Sequence, residues 1–240
     1  MIRLPLHFSA VTVVTGTDTD VGKTVTTAAL ASALLADGHS VAVYKPVQTG
    51  VAGNEAGDAA EVKRLSGAAT AEEGIRLARP MAPVPAAALE GRILPTLADH
   101  AAAVRRLAAT LRHVLVEGSG GLLVELDGDG HTVADLAAAL GGGVVVVCRS
   151  GLGTLNHTML TLEALTHRGL TAAGLVVGSL PDQPSMVERS NLDFLEALPI
   201  PLLACLPAGA AALEPAEFRR LAARGSCAEV FHHSAGLDPV

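Results

Sequence analysis

The stretch Gly16-Thr17-Asp18-Thr19-Asp20-Val21-Gly22-Lys23-Thr24 constrains the fold of this chain more than any other. It lies between a β-branched run (Val11, Val13, Val14) and an Ala-rich run beginning at Val25, so the local order is strand, loop, helix. A phosphate-binding loop needs that order. Loop N–H groups and the free N–H groups of the first helical turn converge on phosphate oxygens, where the helix dipole favours negative charge. In such a loop Lys23 reaches the outer phosphates and the Thr24 hydroxyl holds Mg²⁺. Five residues separate Gly16 from Gly22, one more than the usual spacing. A glycine turn that merely starts a helix is the alternative, and the flanking strand and helix argue against it.

Strand-like and helical runs alternate along the rest of the chain. Strands are predicted at 11–15, 40–45, 113–117, 143–148, 173–178 and 202–206; helices at 24–37, 57–66, 97–112, 133–140, 154–168 and 185–198. The last helix has a marked start, because Ser185 and Glu188 form a capping box after Pro184. This alternation predicts βαβ units: an α/β fold of P-loop NTPase (Rossmann-like) type, with a mainly parallel sheet and helices on both faces. The Pro- and Ala-rich segment 67–95 has room for a short strand (75–77) and a short helix (85–91). No composition break marks a second domain, so residues 1–225 are expected to form one domain, followed by a loosely ordered tail at 226–240.

Composition narrows the partners. Half of the residues are apolar but only 2% are aromatic, so the core must be Ala, Val and Leu, as suits Val-rich strands under Ala/Leu helices. A net charge of −7 with scattered Lys and Arg argues against nucleic acid and anionic membrane as partners. Mean hydropathy is high (+0.42), yet no apolar run approaches the roughly 20 residues of a membrane span. Cys148, Cys205 and Cys227 are widely spaced and form no metal or disulfide pattern; they read as buried hydrophobes in a reducing cytoplasm.

In a parallel sheet, ligands bind beyond the carboxyl ends of the strands, and the unusual residues fall there. Tyr44-Lys45-Pro46-Val47-Gln48-Thr49-Gly50 follows the second strand, and Pro46 keeps Lys45 extended at the strand end. Lys45 is either a catalytic cation over the phosphates or a surface lysine in a turn. Glu117, which ends the apolar run Val114-Leu115-Val116, can bind Mg²⁺, with Gly118, Gly120 and Gly121 leaving room beside it. Asp58 opens a helix, as a dipole-favoured acid or as a second Mg²⁺ ligand. Gly151-Leu152-Gly153-Thr154-Leu155-Asn156-His157 is a second glycine loop entering a helix, either an anion seat or an ordinary capped start. His157 reads as a packed or surface histidine.

Taken together, these pieces resemble dethiobiotin synthetase, the ATP-dependent ring-closing enzyme family of biotin synthesis. The resemblance rests on Gly16–Thr24 with its extra residue, Tyr44-Lys45-Pro46-Val47 with Thr49-Gly50, Val116-Glu117-Gly118-Ser119-Gly120-Gly121, and Leu152-Gly153-Thr154-Leu155-Asn156-His157, and it spans about residues 10–210. It implies the reaction of 7,8-diaminononanoate, CO₂ and ATP to dethiobiotin, ADP and phosphate, through a carbamate and a carbamic–phosphoric anhydride. It further implies Lys23 and Lys45 as charge-neutralising catalytic groups and Thr19 beside the γ-phosphate. Asp20, Val21, Gly22, Lys23, Thr24, Val25, Glu117, Gly118, Gly178, Ser179, Pro207 and Ala208 line the nucleotide site on this reading. Thr24, Asp58 and Glu117 hold Mg²⁺, and Thr49 contacts the diamine or carbamate. The substrate carboxylate rests on the helix start Gly153, Thr154, Leu155 and Asn156 of a neighbouring subunit, which implies a homodimer in the cytoplasm.

Three features separate this chain from related patterns. Family members usually carry an adenine-binding Asn near the end of the 173–178 strand, where this chain has Gly178-Ser179-Leu180-Pro181; ATP remains expected, with other nucleoside triphosphates admissible. Partition and cell-division ATPases with a deviant phosphate loop place a signature lysine where this chain has Asp18. Cobyrinate-type amide synthetases carry an additional glutaminase domain with a nucleophilic cysteine, for which 240 residues leave no room.

Overall fold

Val-rich segments form a central sheet because β-branched residues suit strands buried on both faces. The computed structural model describes residues 9–68 and 70–224. Its strands are β1 (Val11–Gly16), β2 (Val41–Gln48), β3 (Thr70–Arg76), β4 (His113–Gly121), β5 (Gly143–Cys148), β6 (Ala172–Leu180) and β7 (Leu202–Pro207). They pair in the order β3-β2-β4-β1-β5-β6-β7, all parallel. The helices are α1 (Lys23–Ala36), α2 (Asp58–Ser66), α3 (Pro83–Glu90), α4 (Leu97–Ala108), α5 (Val133–Leu140), α6 (Thr154–His167), α7 (Met186–Glu196) and α8 (Pro215–Arg224).

Strand alternation sends side chains to two cores. Val14, Leu115, Val145 and Val147 pack under Leu30 and Leu34 of α1, Val62 and Leu65 of α2 and Phe218 of α8. Val13, Val116, Val146 and Val177 pack under Val104 of α4, Leu136 of α5, Leu165 of α6 and Leu195 of α7. Helices thus cover both faces, as the βαβ alternation requires. No helix among the described residues is long and apolar enough to cross a membrane.

The six expected strands and six expected helices are present; β5 and α5 match at both ends and the others have shifted ends. The short strand expected at 75–77 is the end of β3, a full edge strand; its Glu72, Glu73 and Arg76 hid the strand pattern. The helix expected at 85–91 begins earlier, at Pro83, where proline suits a first turn. β4 continues through the glycines to Gly121. α8 was not anticipated. The tail 226–240 and Cys227 lie outside the described residues. Cys148 is a buried free thiol that burial pushes up to about 11.

Candidate active site

β1, β2 and β4 end side by side, so the loops that follow them share one crevice. The phosphate loop leaves β1 and enters α1 through Gly22, whose φ of 94° lies in the left-handed region. A Cβ at Gly22 would meet the Gly178 carbonyl oxygen at 2.6 Å. β6 therefore braces the back of the loop, and Gly22 is glycine for both reasons. Lys23 folds back so that Nζ donates to the Asp18 carbonyl oxygen at 2.9 Å.

Beside the loop, β2, β4 and the start of α2 bring together a charge cluster in which Lys45 and Glu117 are buried. Lys45 Nζ lies 2.6 Å from Asp58 Oδ2 and 2.9 Å from Glu117 Oε1, and it donates to the Gly118 carbonyl oxygen at 3.1 Å. Thr24 Oγ1 donates to the same Glu117 Oε1 at 2.9 Å. Gln48 sets the place of Asp58, accepting its backbone N–H on Oε1 at 2.7 Å. Burial alone would lower Lys45, but Glu117 and Asp58 outweigh it and hold the ammonium above the ordinary lysine value. Lys23 goes the other way: burial and then the Lys45 charge lower it, against Glu117, Asp58 and Asp20.

These groups line a cavity of about 470 Å³, together with Thr19, Asp20, Gly22, Val25, Thr49 and Ser119. A second cavity of about 480 Å³ shares Thr19, Asp20, Thr49, Gly50, Ser119 and Gly120 with it. It continues past Pro80, Met81, Ala82, Pro83 and Val124, a less polar wall. One end of the combined space offers cations and helix N–H groups, and the other offers apolar contact.

Most predicted site residues meet here: Thr19, Asp20, Gly22, Lys23, Thr24, Val25, Lys45, Thr49, Asp58 and Glu117 line the first cavity, with Gly118 bonded to Lys45. The Val21 side chain is buried in the core. Gly178 packs its backbone on Val21, while Ser179, Pro207 and Ala208 sit at the ends of β6 and β7, joined by the Ala208 N–H to the Leu180 oxygen at 2.7 Å. None of these four lines either cavity. Gly153, Thr154, Leu155 and Asn156 also line neither; they start α6, and the neighbouring Leu152 is 91% exposed. Sequence reasoning missed Gln48, Ser119 and Arg149. The first two lie within the motifs already quoted, so their position beside Lys45 and Glu117 was the available signal. Arg149 had none, since its contacts span more than a hundred residues of chain.

Glu117 bears on the expected Mg²⁺. Its Oε2 is buried and has no hydrogen-bond partner. An orphaned carboxylate oxygen beside a hydroxyl and a second carboxylate is a donor set of the kind Mg²⁺ takes, so Thr24, Glu117 and Asp58 fit the ion.

The sequence profile of a family described as "AAA domain" matches residues 11–215. An "ATP-dependent dethiobiotin synthetase BioD" from Mycobacterium avium is 55% identical over 213 residues, covering 89% of this chain and 93% of that protein. The chain belongs to the dethiobiotin synthetase family. A second member, from a Parafrankia species, is 52% identical, with 89% of this chain and 90% of that protein covered. Among solved structures, the septum site-determining protein MinD of Pyrococcus horikoshii, complexed with Mg-ADP, matches with a TM-score of 0.52 at 19% identity. That match covers 88% of this chain and 93% of that one, and at this identity it shows the P-loop ATPase fold alone.

Proposed function

We propose that this chain is an ATP-dependent ligase that closes the ureido ring of dethiobiotin from 7,8-diaminononanoate and CO₂. The observation that carries the proposal is the pair of joined cavities, with Lys23 and Lys45 at one end and an apolar wall at the other. One amine of the substrate captures CO₂ as a carbamate. The carbamate oxygen attacks the γ-phosphorus, ADP leaves, and the second amine displaces phosphate to close the ring. Lys23 and the α1 N–H groups bind the phosphates of ATP. Lys45, kept charged by Glu117 and Asp58, neutralises the carbamate and the transferring group. Thr19 and Thr49 stand where the two cavities meet, which suits contact with the γ-phosphate and the carbamate. The less polar wall from Pro80 to Pro83 takes the alkyl chain. Thr24, Glu117 and Asp58 would hold Mg²⁺, which supplies charge neutralisation to the phosphates.

The proposal includes one α/β domain over residues 1–225 and a cytoplasmic homodimer. The α6 start, which lines neither cavity of its own chain, would serve a neighbour's site by receiving the substrate carboxylate on Gly153–Asn156. Nucleotide choice rests on the phosphates: no side chain at Gly178 reads the base, and CTP, GTP or UTP would replace ATP in part, with Ser179, Pro207 and Ala208 as the base's neighbours. The test is direct. The protein is incubated with Mg²⁺, ATP, bicarbonate and 7,8-diaminononanoate, and dethiobiotin is sought by mass. Absence of product, with ATP turnover indifferent to the diamine, refutes the proposal; turnover stimulated by DNA or lipid would favour a switch ATPase.

A further inference from the structure

Arg149 follows β5 and faces the phosphate loop. Its Nη2 donates to the Thr19 carbonyl oxygen at 2.8 Å and to Asp18 Oδ2 at 3.2 Å. The other carboxylate oxygen of Asp18 accepts the Thr19 N–H at 2.7 Å. One residue earlier, the Thr17 N–H donates to the Val147 carbonyl oxygen at 2.9 Å. Three consecutive loop residues are thus tied to β5 and its exit.

The next residue explains why ties are needed. Asp20 has φ 56°, and among the described residues no other non-glycine has positive φ. Such a conformation is costly and persists where its surroundings over-determine it. Thr19 lines both cavities and Arg149 lines neither, so the guanidinium holds the Thr19 carbonyl oxygen from outside them. The bond offsets the partial negative charge of a carbonyl on a residue that lines the space a terminal phosphate would occupy. The anchor itself is firm: the Arg149 carbonyl oxygen accepts the Thr154 hydroxyl at 2.7 Å, and Asn191 Nδ2 donates to the Ser150 carbonyl oxygen at 2.8 Å.

We propose that Arg149 is a positioning residue for phosphoryl transfer, holding the Asp18–Thr19 corner of the phosphate loop in the shape that admits the terminal phosphate. This rests on the nucleotide-dependent reading above, but its test needs no dethiobiotin. Arg149→Ala, Arg149→Lys and the remote surface variant Arg105→Ala are compared with the native chain for binding of ADP and of adenosine β,γ-imidotriphosphate. Amide hydrogen exchange is followed in the ligand-free proteins. One charge-assisted bond lost at a half-exposed site predicts that Arg149→Ala weakens the triphosphate analogue about five- to tenfold. ADP, which lacks the terminal phosphate, is expected to change less than about twofold. Arg149→Lys recovers part of the loss, and Arg105→Ala binds like the native chain. Exchange at residues 17–20 quickens in Arg149→Ala while α1 stays protected. Unchanged exchange at 17–20, or equal weakening of ADP and the analogue, overturns the proposal. Failure of the native chain to make dethiobiotin would refute the ring-closing reading and leave this comparison intact.

Discussion

Lys23 and Lys45 share one cavity and are shifted in opposite directions, because only Lys45 touches both carboxylates. On the proposed reading Lys23 binds phosphate as an ammonium, so nucleotide affinity is expected to be lost as pH rises through its lowered value, below the ordinary 10.5. Lys45→Gln removes a lowering charge and leaves Glu117 and Asp58 to act on Lys23. The alkaline limb of ADP binding, measured by calorimetry across pH, is expected to move upward in that variant; an unmoved limb would contradict the assigned coupling. Gly22 gives a second expectation. Gly22→Ala forces a side chain into left-handed backbone and against the Gly178 carbonyl, and ATP-analogue affinity should fall by about tenfold or more. The Gly-Lys-Thr motif was legible in sequence. Its brace was not, because Gly178 reaches Gly22 from a strand more than 150 residues away.

At the scale of elements, the start of α4 is held by the turn that follows Val124. Asp127 is buried and accepts the Leu97 N–H at 3.0 Å and His131 Nδ1 at 2.9 Å. The bond to Asp127 raises His131 above its ordinary 6.5, so its stabilisation is complete below 6.5 and is lost as pH rises through the raised value. Burial would raise Asp127, but bonds from His131, Leu97 and Asp129 prevail and hold it below 3.8. Its share is present above 3.8 and lost as pH falls through the lowered value. The pair contributes most between these limits. The melting temperature of His131→Ala should therefore lie below native at about pH 5.5, with the gap narrowing by about pH 8.5. Elements with a clean period were legible in sequence, whereas α8 was not. Its mean composition is polar, and only contact with α1 and α2 makes Phe218 a fully buried side chain.

For the whole molecule, the proposed shared site has a sharp consequence. Lys45→Ala disables the cavity of its own chain, and Asn156→Ala would disable the neighbour's. Each variant alone should be inactive or nearly so. Mixing them in equal amounts should restore about a quarter of native activity, since half the dimers are mixed and each holds one intact site. Product formation after mixing, with exchange verified by light scattering, checks this; no recovery would place both groups in one chain's site.

The sequence by itself determined the layered α/β fold, the phosphate loop and the family. Those follow from local periodicity and short motifs, in which the interacting residues are near neighbours along the chain. Only the tertiary structure decided that Lys45 lies between Asp58 and Glu117, that Gly178 closes on the loop, and that Arg149 grips its corner. Charge and packing act through distance in space, and the sheet order β3-β2-β4-β1-β5-β6-β7 sets those distances by placing strands distant in sequence side by side.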